Sequence, residues 1–332
     1  MRISLAVIYG GAGREHDVSV MGYRNLVRNI DKEKYEVLEI FIDKSGAWYF
    51  IRGDESYPTF PVRLGDKSGF LVSGRLVSLD VALPLLHGDM GEDGNIQGLL
   101  TSAGIPFIGE GTRTGALTSD KSYTKTVSGA LGIPTVKSLT LTDEYCERAI
   151  DAMESVIGYP AFIKPVSLGS SVGASGAYSR DEALLAYSRA RALDTKVLIE
   201  ELVSPKRELE CAVLKYGDSY TVTPPSEIMI DGEYGYSEKY KLGTRLEVEA
   251  DIPEEIKRKL NEYCHVLIDG MGIYSMSRID FFLSRDRIFL NEINTMPGFT
   301  KDSLYLKMLD RAGIPCPSVI DALVESAMER SR

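Results

Sequence analysis

The segment 278–304 constrains the fold of this chain most strongly, because it combines the pattern of a β-hairpin with an unusual set of polar side chains. Two apolar runs, 279–283 and 288–290, flank the polar turn 284–287. Apolar alternation on both sides of a short polar turn predicts two antiparallel strands. The hairpin therefore carries polar residues into whatever surface its two strands form.

Asp280, Glu292 and Asn294 are the candidate metal ligands of this hairpin. Glu292 and Asn294 are two residues apart, so their side chains point to one face of the second strand. Three hard oxygen ligands directed at one point suit Mg²⁺, with phosphate oxygens and water completing the octahedron. The alternative is that the carboxylates are solvated residues at strand ends. Other segments of the chain favour the metal-nucleotide site.

Length and composition indicate a globular protein with more than one domain. The chain has 332 residues, of which 44% are hydrophobic and 26% charged, and its net charge is -10. This size suits two or three domains. The negative charge argues against nucleic acid as a partner, and no apolar run reaches the length of a membrane span. The four cysteines are far apart in sequence and form no CxxC pair, which predicts reduced thiols in a cytoplasmic protein.

The first 119 residues begin with the pattern of a parallel sheet. Residues 3–9 are apolar and lead into glycines without a cleavage site, which predicts a first strand and not a signal peptide. A helix and a second strand at 35–42 complete a βαβ unit. The turn 10–13 lacks the GxGxxG spacing of a nicotinamide site. The apolar face predicted for the helix consists of Val20, Tyr23, Val27 and Ile30.

A second polar loop, 87–94, follows a predicted strand and precedes a helix predicted at 95–103. The carboxyl end of a strand is where open α/β sheets bind ligands. His87 in this loop is, judged alone, more often a hydrogen-bonded structural group than a catalyst. A further short strand is predicted at 105–108, and the first domain is predicted to end near residue 119.

Two lysines and a glycine-serine loop within 120–203 predict contacts to phosphate. Lys121 begins a helix for which Asp120 or Ser119 is a suitable cap. Lys164 ends an apolar strand, where an ammonium group requires an anionic partner. The loop 167–173 offers backbone N–H groups and serine hydroxyls to phosphate oxygens. Taken in isolation, its GSSVG sequence is equally typical of a flexible hairpin turn.

The strand 196–203 and the loop 230–243 complete the candidate nucleotide site. Glu200 and Glu201 lie at the end of this strand, and Glu208 lies on the next one. Backbone amides and a carboxylate there suit adenine and ribose, and the alternative is a charged edge strand. The Tyr/Lys-rich loop has the length and composition of an active-site lid.

Seven segments, taken in order, resemble the D-alanine:D-alanine ligase family of the ATP-grasp superfamily: GGAGREHDVS, HGDMGEDGNIQGLL, TSDK, FIKPVSLGSSVGAS, EELVSPKRELECAV, SEKY and SRIDFFL with LNEINTMPGFTKDSL. Each segment is weak alone, but together they cover nearly the whole chain in register. The resemblance implies α/β and α+β structure in a three-domain ATP-grasp fold with an N-terminal parallel-sheet domain. The expected domains are an N-terminal substrate domain (1–119), a central ATP-grasp subdomain (120–203) and a C-terminal ATP-grasp domain with metal and substrate sites (204–332).

The resemblance also implies ATP between the central and C-terminal domains, with two Mg²⁺ or Mn²⁺ ions on Asp280, Glu292 and Asn294. At Glu201 some members of the family carry lysine, but only a backbone contact is expected there. The residues implied in binding ATP are Lys121, Lys164, Ser171, Glu200, Glu201, Val203, Glu208 and Lys239.

The implied reaction has two steps. The carboxylate of one D-alanine attacks the γ-phosphate of ATP, and the amine of a second D-alanine attacks the resulting acyl phosphate. Glu15 would pair with the ammonium group of the first substrate, near His87. Arg278 and the Gly298 N–H would stabilise the tetrahedral oxyanion.

The remaining implied residues close the site and bind the second substrate. Ser303 would bind its carboxylate, beside Leu304. Ser170 and Tyr240 resemble the family's hydrogen-bonded link that holds the lid over the site.

Two alternatives stay open at this point. One is a ligase of the same family that makes a D-alanine:D-serine or D-alanine:D-lactate product. The other is a catalytically inactive nucleotide-binding homologue, against which the presence of every implied ligand argues. The resemblance further implies a homodimer that acts in the cytoplasm on small molecules, D-alanine and ATP, for peptidoglycan synthesis, without nucleic acid or membrane partners.

Overall fold

The computed structural model describes residues 2–229 and 245–330, so Lys239 and Tyr240 lie outside the described residues. The N-terminal strands are β1 (Ile3–Gly10), β2 (Tyr35–Ile42), β3 (Trp48–Arg52), β4 (Glu55–Pro58), β5 (Pro61–Leu64), β6 (Lys67–Val72), β7 (Arg75–Ser78) and β8 (Val81–Pro84). One sheet has the order β4-β3-β2-β1-β8, and a second has the order β5-β6-β7. Strand β1 pairs in parallel with β2 and with β8. The predicted parallel-sheet start is therefore confirmed.

Helix α1 (His16–Asn29) packs on this sheet through a face about one residue away from the predicted one. Its deepest positions include Ser19 and Gly22, whereas the predicted apolar face is half-buried except at Ile30. The Ser19 hydroxyl donates a hydrogen bond to the Leu85 carbonyl at 2.5 Å, and a Cβ at Gly22 would lie 3.3 Å from the Leu85 side chain. Small residues allow this close approach, which apolar periodicity does not detect.

The predicted strand at 105–108 is wrong, because the structure forms only a single bridge there, between Phe107 and Ala82. The Ala82 N–H donates to the Pro106 carbonyl, but Pro106 has no N–H of its own with which to extend a ladder. The helix predicted at 95–103 is confirmed as α2 (Asn95–Ser102).

The central part carries an antiparallel sheet with helices packed against it. Its helices are α3 (Thr112–Ser119), α4 (Lys121–Ala130), α5 (Cys146–Val156) and α6 (Arg180–Arg191), and its strands are β9 (Ser138–Leu141), β10 (Ala161–Pro165), β11 (Ser175–Ala177) and β12 (Val197–Glu201). The Asp120 side chain accepts from the N–H groups of Ser122 and Tyr123, which confirms it as the cap of α4. The sheet order is β11-β10-β12-β9. Strand β12 is thus internal, and the alternative of a charged edge strand is wrong.

The C-terminal part is built around the predicted hairpin. Its strands are β13 (Arg207–Tyr216), β14 (Ser219–Val222), β15 (Ser226–Met229), β16 (Arg245–Glu247), β17 (Met276–Ser284) and β18 (Arg287–Asn294), and its helices are α7 (Glu254–Met271), α8 (Leu304–Arg311) and α9 (Cys316–Arg330). The sheet order is β16-β15-β13-β17-β18, with β14 paired to β13. Strands β17 and β18 are antiparallel neighbours, so the hairpin is confirmed.

The hydrophobic cores show how these parts connect. One core joins N-terminal residues such as Leu5 and Leu85 to C-terminal residues such as Tyr305 and Leu323, whereas Ile150 and Tyr187 belong to a separate core under the central sheet. The predicted boundaries at 119 and 203 fall between the sheets and stay predictions. Among the described helices, none is long and apolar enough to cross a membrane.

Candidate active site

A cavity of about 820 Å³ lies where the N-terminal, central and C-terminal parts meet. It is lined by many of the residues that the sequence singles out: Glu15, His87, Lys121, Ser170, Arg278, Glu292, Asn294, Gly298, Ser303 and Leu304. A cavity of this size accommodates a drug-sized or nucleotide-sized ligand. Residues distant in sequence are therefore brought to one place.

A β-bulge decides which side chains of the hairpin face each other. Near the turn Phe281 pairs with Leu290, which would place Asn291 opposite Asp280, but the register shifts and Glu292 pairs with Asp280 instead. A one-residue shift exchanges the faces of a strand. The bulge thus puts both predicted carboxylates on one face of the sheet.

Asp280 is held by two neighbours on that face. Its carboxylate accepts from Arg278 Nε at 2.8 Å and Nη2 at 2.7 Å, and from Asn294 Nδ2 at 3.1 Å. Arg278 is partly buried, and desolvation lowers its pKa, but the charges of Asp280, Glu210 and Glu292 outweigh this and raise the pKa well above the usual value. Arg278 therefore stays cationic beside the carboxylates.

The chemistry of the trio Asp280, Glu292 and Asn294 fits a hard divalent cation, since all of its ligand atoms would be oxygens on adjacent strands. Within residues 2–229 and 245–330 no three His, Cys, Asp or Glu side chains are grouped to hold a metal ion. The trio has two carboxylates and one amide, and protein cations lie next to both carboxylates: Arg278 beside Asp280, and Lys121 Nζ at 3.6 Å from Glu292 Oε2.

A buried cluster of two lysines and one glutamate lies on the central sheet. Glu200 Oε2 is 2.7 Å from Lys164 Nζ, and Glu200 Oε1 is 2.6 Å from Lys125 Nζ. Glu200 is only 4% exposed, so the predicted anionic partner of Lys164 is a carboxylate of the protein itself. The Glu200 side chain faces these lysines, and its predicted contact to a nucleotide stays a prediction.

The glycine-serine loop closes over the cavity from the central part. Ser170 Oγ donates to Glu15 Oε1 at 3.0 Å, across 155 positions of sequence, and the Lys121 ammonium donates to the Leu168 carbonyl at 3.0 Å. Ser170 and Ser171 both have positive φ, 53° and 58°, a backbone region that costs energy for residues with a Cβ. Contacts on both sides hold the loop in this conformation.

The loop after β8 contributes His87 and Glu92. His87 Nδ1 lies 3.0 Å from the Met296 carbonyl, and its buried Nε2 has no hydrogen-bond partner among the described residues. Burial lowers the pKa of His87, although the charge of Glu15 opposes this. A neutral imidazole whose Nε2 is not used by the described part of the protein suits a hydrogen bond to a ligand.

Glu92 joins this loop to the C-terminal part. Its carboxylate accepts from the N–H groups of Gly88 at 2.9 Å and Met296 at 3.0 Å. Burial raises the pKa of Glu92 to about 7, against the effect of these two hydrogen bonds. Glu92 thus fixes the position of the loop that carries His87.

The end of the hairpin leads into a tight turn before α8. The Ser303 hydroxyl accepts from the Thr300 N–H at 2.9 Å, and a Cβ at Gly298 would lie 2.7 Å from it. Gly298 therefore needs to be glycine for the Ser303 hydroxyl to sit against the backbone. Leu304 is 8% exposed and lines the cavity beside them.

A second, smaller cavity of about 340 Å³ lies between β12 and the hairpin turn, lined by Glu201, Val203 and Phe289 among others. Lys206 Nζ lies 3.3 Å from Glu208 Oε1 and 3.7 Å from the ring centre of Phe282. The residues predicted to contact adenine and ribose thus lie in two places: Glu201 and Val203 line this cavity, and Glu208 forms an ion pair with Lys206.

Three residues at or beside the site had no role predicted from the sequence: Lys125, Glu92 and Glu210. Lys125 lies one turn after Lys121 on α4, and Glu92 lies in the same acidic loop as His87, so spacing offered a signal for both. Glu210 shares a strand face with Glu208, and its role depends on the sheet order.

Comparison with known proteins identifies the family. A profile described as "D-ala D-ala ligase N-terminus" matches residues 4–110, and one described as "D-ala D-ala ligase C-terminus" matches residues 127–325. The chain belongs to the D-alanine–D-alanine ligase family. Among curated members, the D-alanine–D-alanine ligases of Solibacter usitatus and Caldicellulosiruptor bescii are 38% and 35% identical, over 100% of this chain and 97% and 96% of theirs.

Solved structures of the family share the fold. The D-alanine-D-alanine ligase of Coxiella burnetii aligns with a TM-score of 0.88 and 31% identity, covering 99% of this chain and 95% of that one. The VanG D-Ala:D-Ser ligase of Enterococcus faecalis aligns with a TM-score of 0.91 and 32% identity, covering 98% of this chain and 100% of that one. The ATP-grasp expectation is thereby confirmed.

Proposed function

We propose that this protein joins two D-alanine molecules into D-alanyl-D-alanine and converts ATP to ADP and phosphate in the same reaction. The observation that supports this most is the single cavity on which Glu15, Lys121 and Arg278 meet the end of the hairpin. Family membership gives the reaction class. The product would serve peptidoglycan precursor synthesis in the cytoplasm.

The residues around the cavity divide the chemistry between two substrates. Glu15 pairs with the ammonium group of the first D-alanine, and His87 contacts the same molecule. The carboxylate of this first D-alanine attacks the γ-phosphate of ATP, ADP leaves, and an acyl phosphate forms. Arg278 and the Gly298 N–H then stabilise the oxyanion that develops when the second amine attacks, after which phosphate leaves and the amine loses a proton.

ATP is positioned by charge and by backbone. Lys121, Lys164, Ser171 and Lys239 neutralise or hydrogen-bond the phosphates, while the backbone of the strand that ends at Val203, together with Glu208, holds adenine and ribose. Two Mg²⁺ or Mn²⁺ ions, bound by Asp280, Glu292 and Asn294, would neutralise charge on the transferring phosphoryl group. Ser170, Glu15 and Tyr240 hold the lid over the site. The protein is further proposed to act as a homodimer.

The test of the function is phosphate release with ATP, Mg²⁺ and D-alanine, with the product identified by mass. We expect release that depends on both D-alanine and Mg²⁺, and a product of dipeptide mass. An inactive nucleotide-binding homologue would give no signal, and a ligase for mixed products would respond best to a mixed pair of substrates.

We predict that the acceptor is D-alanine in preference to D-serine. Leu304 presents only methyl groups to the second subsite beside Ser303, so the D-serine hydroxyl would lose water without gaining a partner, at a cost of about 1–3 kcal/mol. D-lactate is disfavoured because the sequence keeps Lys239 and Tyr240 in the lid, as in members that make dipeptides.

Competition of equimolar D-alanine, D-serine and D-lactate, with products separated by mass, measures this preference. A predominantly mixed product would contradict the acceptor assignment and leave the ligase assignment standing. It would also agree with the likeness to the VanG D-Ala:D-Ser ligase.

Replacing Ser170 with alanine is expected to lower kcat by up to about tenfold, because one hydrogen bond to Glu15 contributes on the order of 1 kcal/mol. Alanine keeps the Cβ, so the cost of the positive φ is unchanged. Steady-state kinetics check this, with Ser155→Ala on the exposed face of α5 as the control. Equal kcat for the two variants would remove Ser170 from lid closure.

A further inference from the structure

Glu210 lies in a row of carboxylates that crosses three strands. On β13 it pairs with Asp280 of β17, and Asp280 pairs with Glu292 of β18. Directly paired residues project from the same face of a sheet. Glu210 is 4% exposed and lines the large cavity, so this third carboxylate faces the reaction space beside the two implied metal ligands.

The guanidinium group of Arg278 is shared between two of these carboxylates. Its Nε lies 2.8 Å from Asp280 Oδ1 and 3.0 Å from Glu210 Oε2, while Nη2 lies 2.7 Å from Asp280 Oδ2. Arg278 and a divalent cation would therefore use the same carboxylate, that of Asp280. If Asp280 bound the cation instead, Glu210 would still lie within ion-pair distance of Arg278.

We infer that Glu210 is a positioning residue, which holds Arg278 at the oxyanion site while Asp280 binds the metal. This rests on the proposed function for the roles of Arg278 and Asp280. Without the Glu210 charge, Arg278 would depend on Asp280, competing with the cation and moving away from the oxyanion. The position of the Arg278 guanidinium group matters because small displacements of a catalytic group lower the rate by large factors.

The same sheet supplies a matched control. Glu227 on β15 is 8% exposed and pairs with Arg207, Nη2 to Oε2, at 2.5 Å. This is also a buried carboxylate with an arginine partner, but neither residue lines the large cavity. A purely structural role for Glu210 would make Glu210→Gln and Glu227→Gln behave alike.

The experiment compares Glu210→Gln, Glu210→Asp and Glu227→Gln with the parent. For Glu210→Gln we expect kcat to fall about tenfold or more and the Kd of Mn²⁺ to rise about tenfold, with KM for ATP changed by less than about twofold. Mn²⁺ affinity is measured by electron paramagnetic resonance with a non-hydrolysable ATP analogue, and folding by thermal unfolding. Glu227→Gln should lower the unfolding temperature but leave kcat and the Kd of Mn²⁺ at parent values.

Glu210→Asp keeps the charge and withdraws the carboxylate by one methylene, so its kcat should lie between those of the parent and Glu210→Gln. If Glu210→Gln does not fold, Glu210→Asp decides, and a parent-like kcat overturns the inference. A parent-like kcat in folded Glu210→Gln, or an equal loss in Glu227→Gln, also overturns it. A parent without ligase activity contradicts the proposed function instead, and an unchanged Kd of Mn²⁺ in Glu210→Gln would then overturn the role of Glu210.

Discussion

Replacement of Glu292 with glutamine is expected to lower turnover by about a thousandfold, while the affinity for ATP falls by less than about tenfold. Glu292 stands opposite Asp280 on the inner face of the hairpin and 3.6 Å from Lys121. A carboxylate at this position would hold the divalent cations that neutralise the negative charge developing on the transferring phosphoryl group. Glutamine keeps the size and removes the charge, so transition-state stabilisation is lost more than ground-state binding.

Rate and nucleotide affinity measured on the same preparation test this prediction. Asp286→Asn is the matched control, since Asp286 lies in the exposed turn of the same hairpin and its replacement should change neither quantity. Near-normal turnover in Glu292→Gln would remove Glu292 from the metal site. An equal loss of rate and of ATP affinity would assign it to nucleotide binding alone.

The local patterns of the sequence were sufficient for the hairpin and limited the cap of α4 to Asp120 or Ser119, because alternation and capping depend on neighbouring residues. They were not sufficient for the face on which Glu292 lies. Regular pairing from the hairpin turn would put Asn291 opposite Asp280, and only the bulge restores Glu292. A bulge has no reliable signature in a single sequence, so the predicted trio depended on a feature that the sequence does not show.

The ion pairs between neighbouring elements of the central sheet could not be predicted from the sequence either. Lys164 was predicted to need an anionic partner, and it has one. The anion in the structure is the carboxylate of Glu200 on the neighbouring strand. Lys125 joins the same carboxylate from a helix. Such pairs are determined by strand order and helix placement, which periodicity does not report. Sheet order likewise decided that β12 is internal and that Glu210 reaches Arg278.

Replacement of Glu200 with glutamine is expected to lower the free energy of unfolding by about 3–5 kcal/mol, because it leaves two buried lysines without their shared anion. Lys125 is 7% and Lys164 8% exposed, and Lys125 donates otherwise only to the Val136 carbonyl among the described residues. Glu147→Gln is the control. Glu147 pairs with Arg180 in the same part of the chain, but its side chain is 69% exposed, so its loss should cost at most about 1 kcal/mol.

The dependence of this stabilisation on pH gives an independent test. Burial acts to raise the pKa of Glu200, but the charges of Lys164 and Lys125 outweigh it and lower the pKa from 4.5 to about 2. A carboxylate with a depressed folded-state pKa stabilises the fold above its unfolded value, and this contribution is lost as pH falls through the folded one. Between pH 4.5 and about 2 the parent should therefore lose stability more steeply than Glu200→Gln. Denaturant unfolding at several pH values measures both slopes, and parallel slopes, or a loss in Glu200→Gln no larger than in Glu147→Gln, would show that the buried cluster does not stabilise the central sheet.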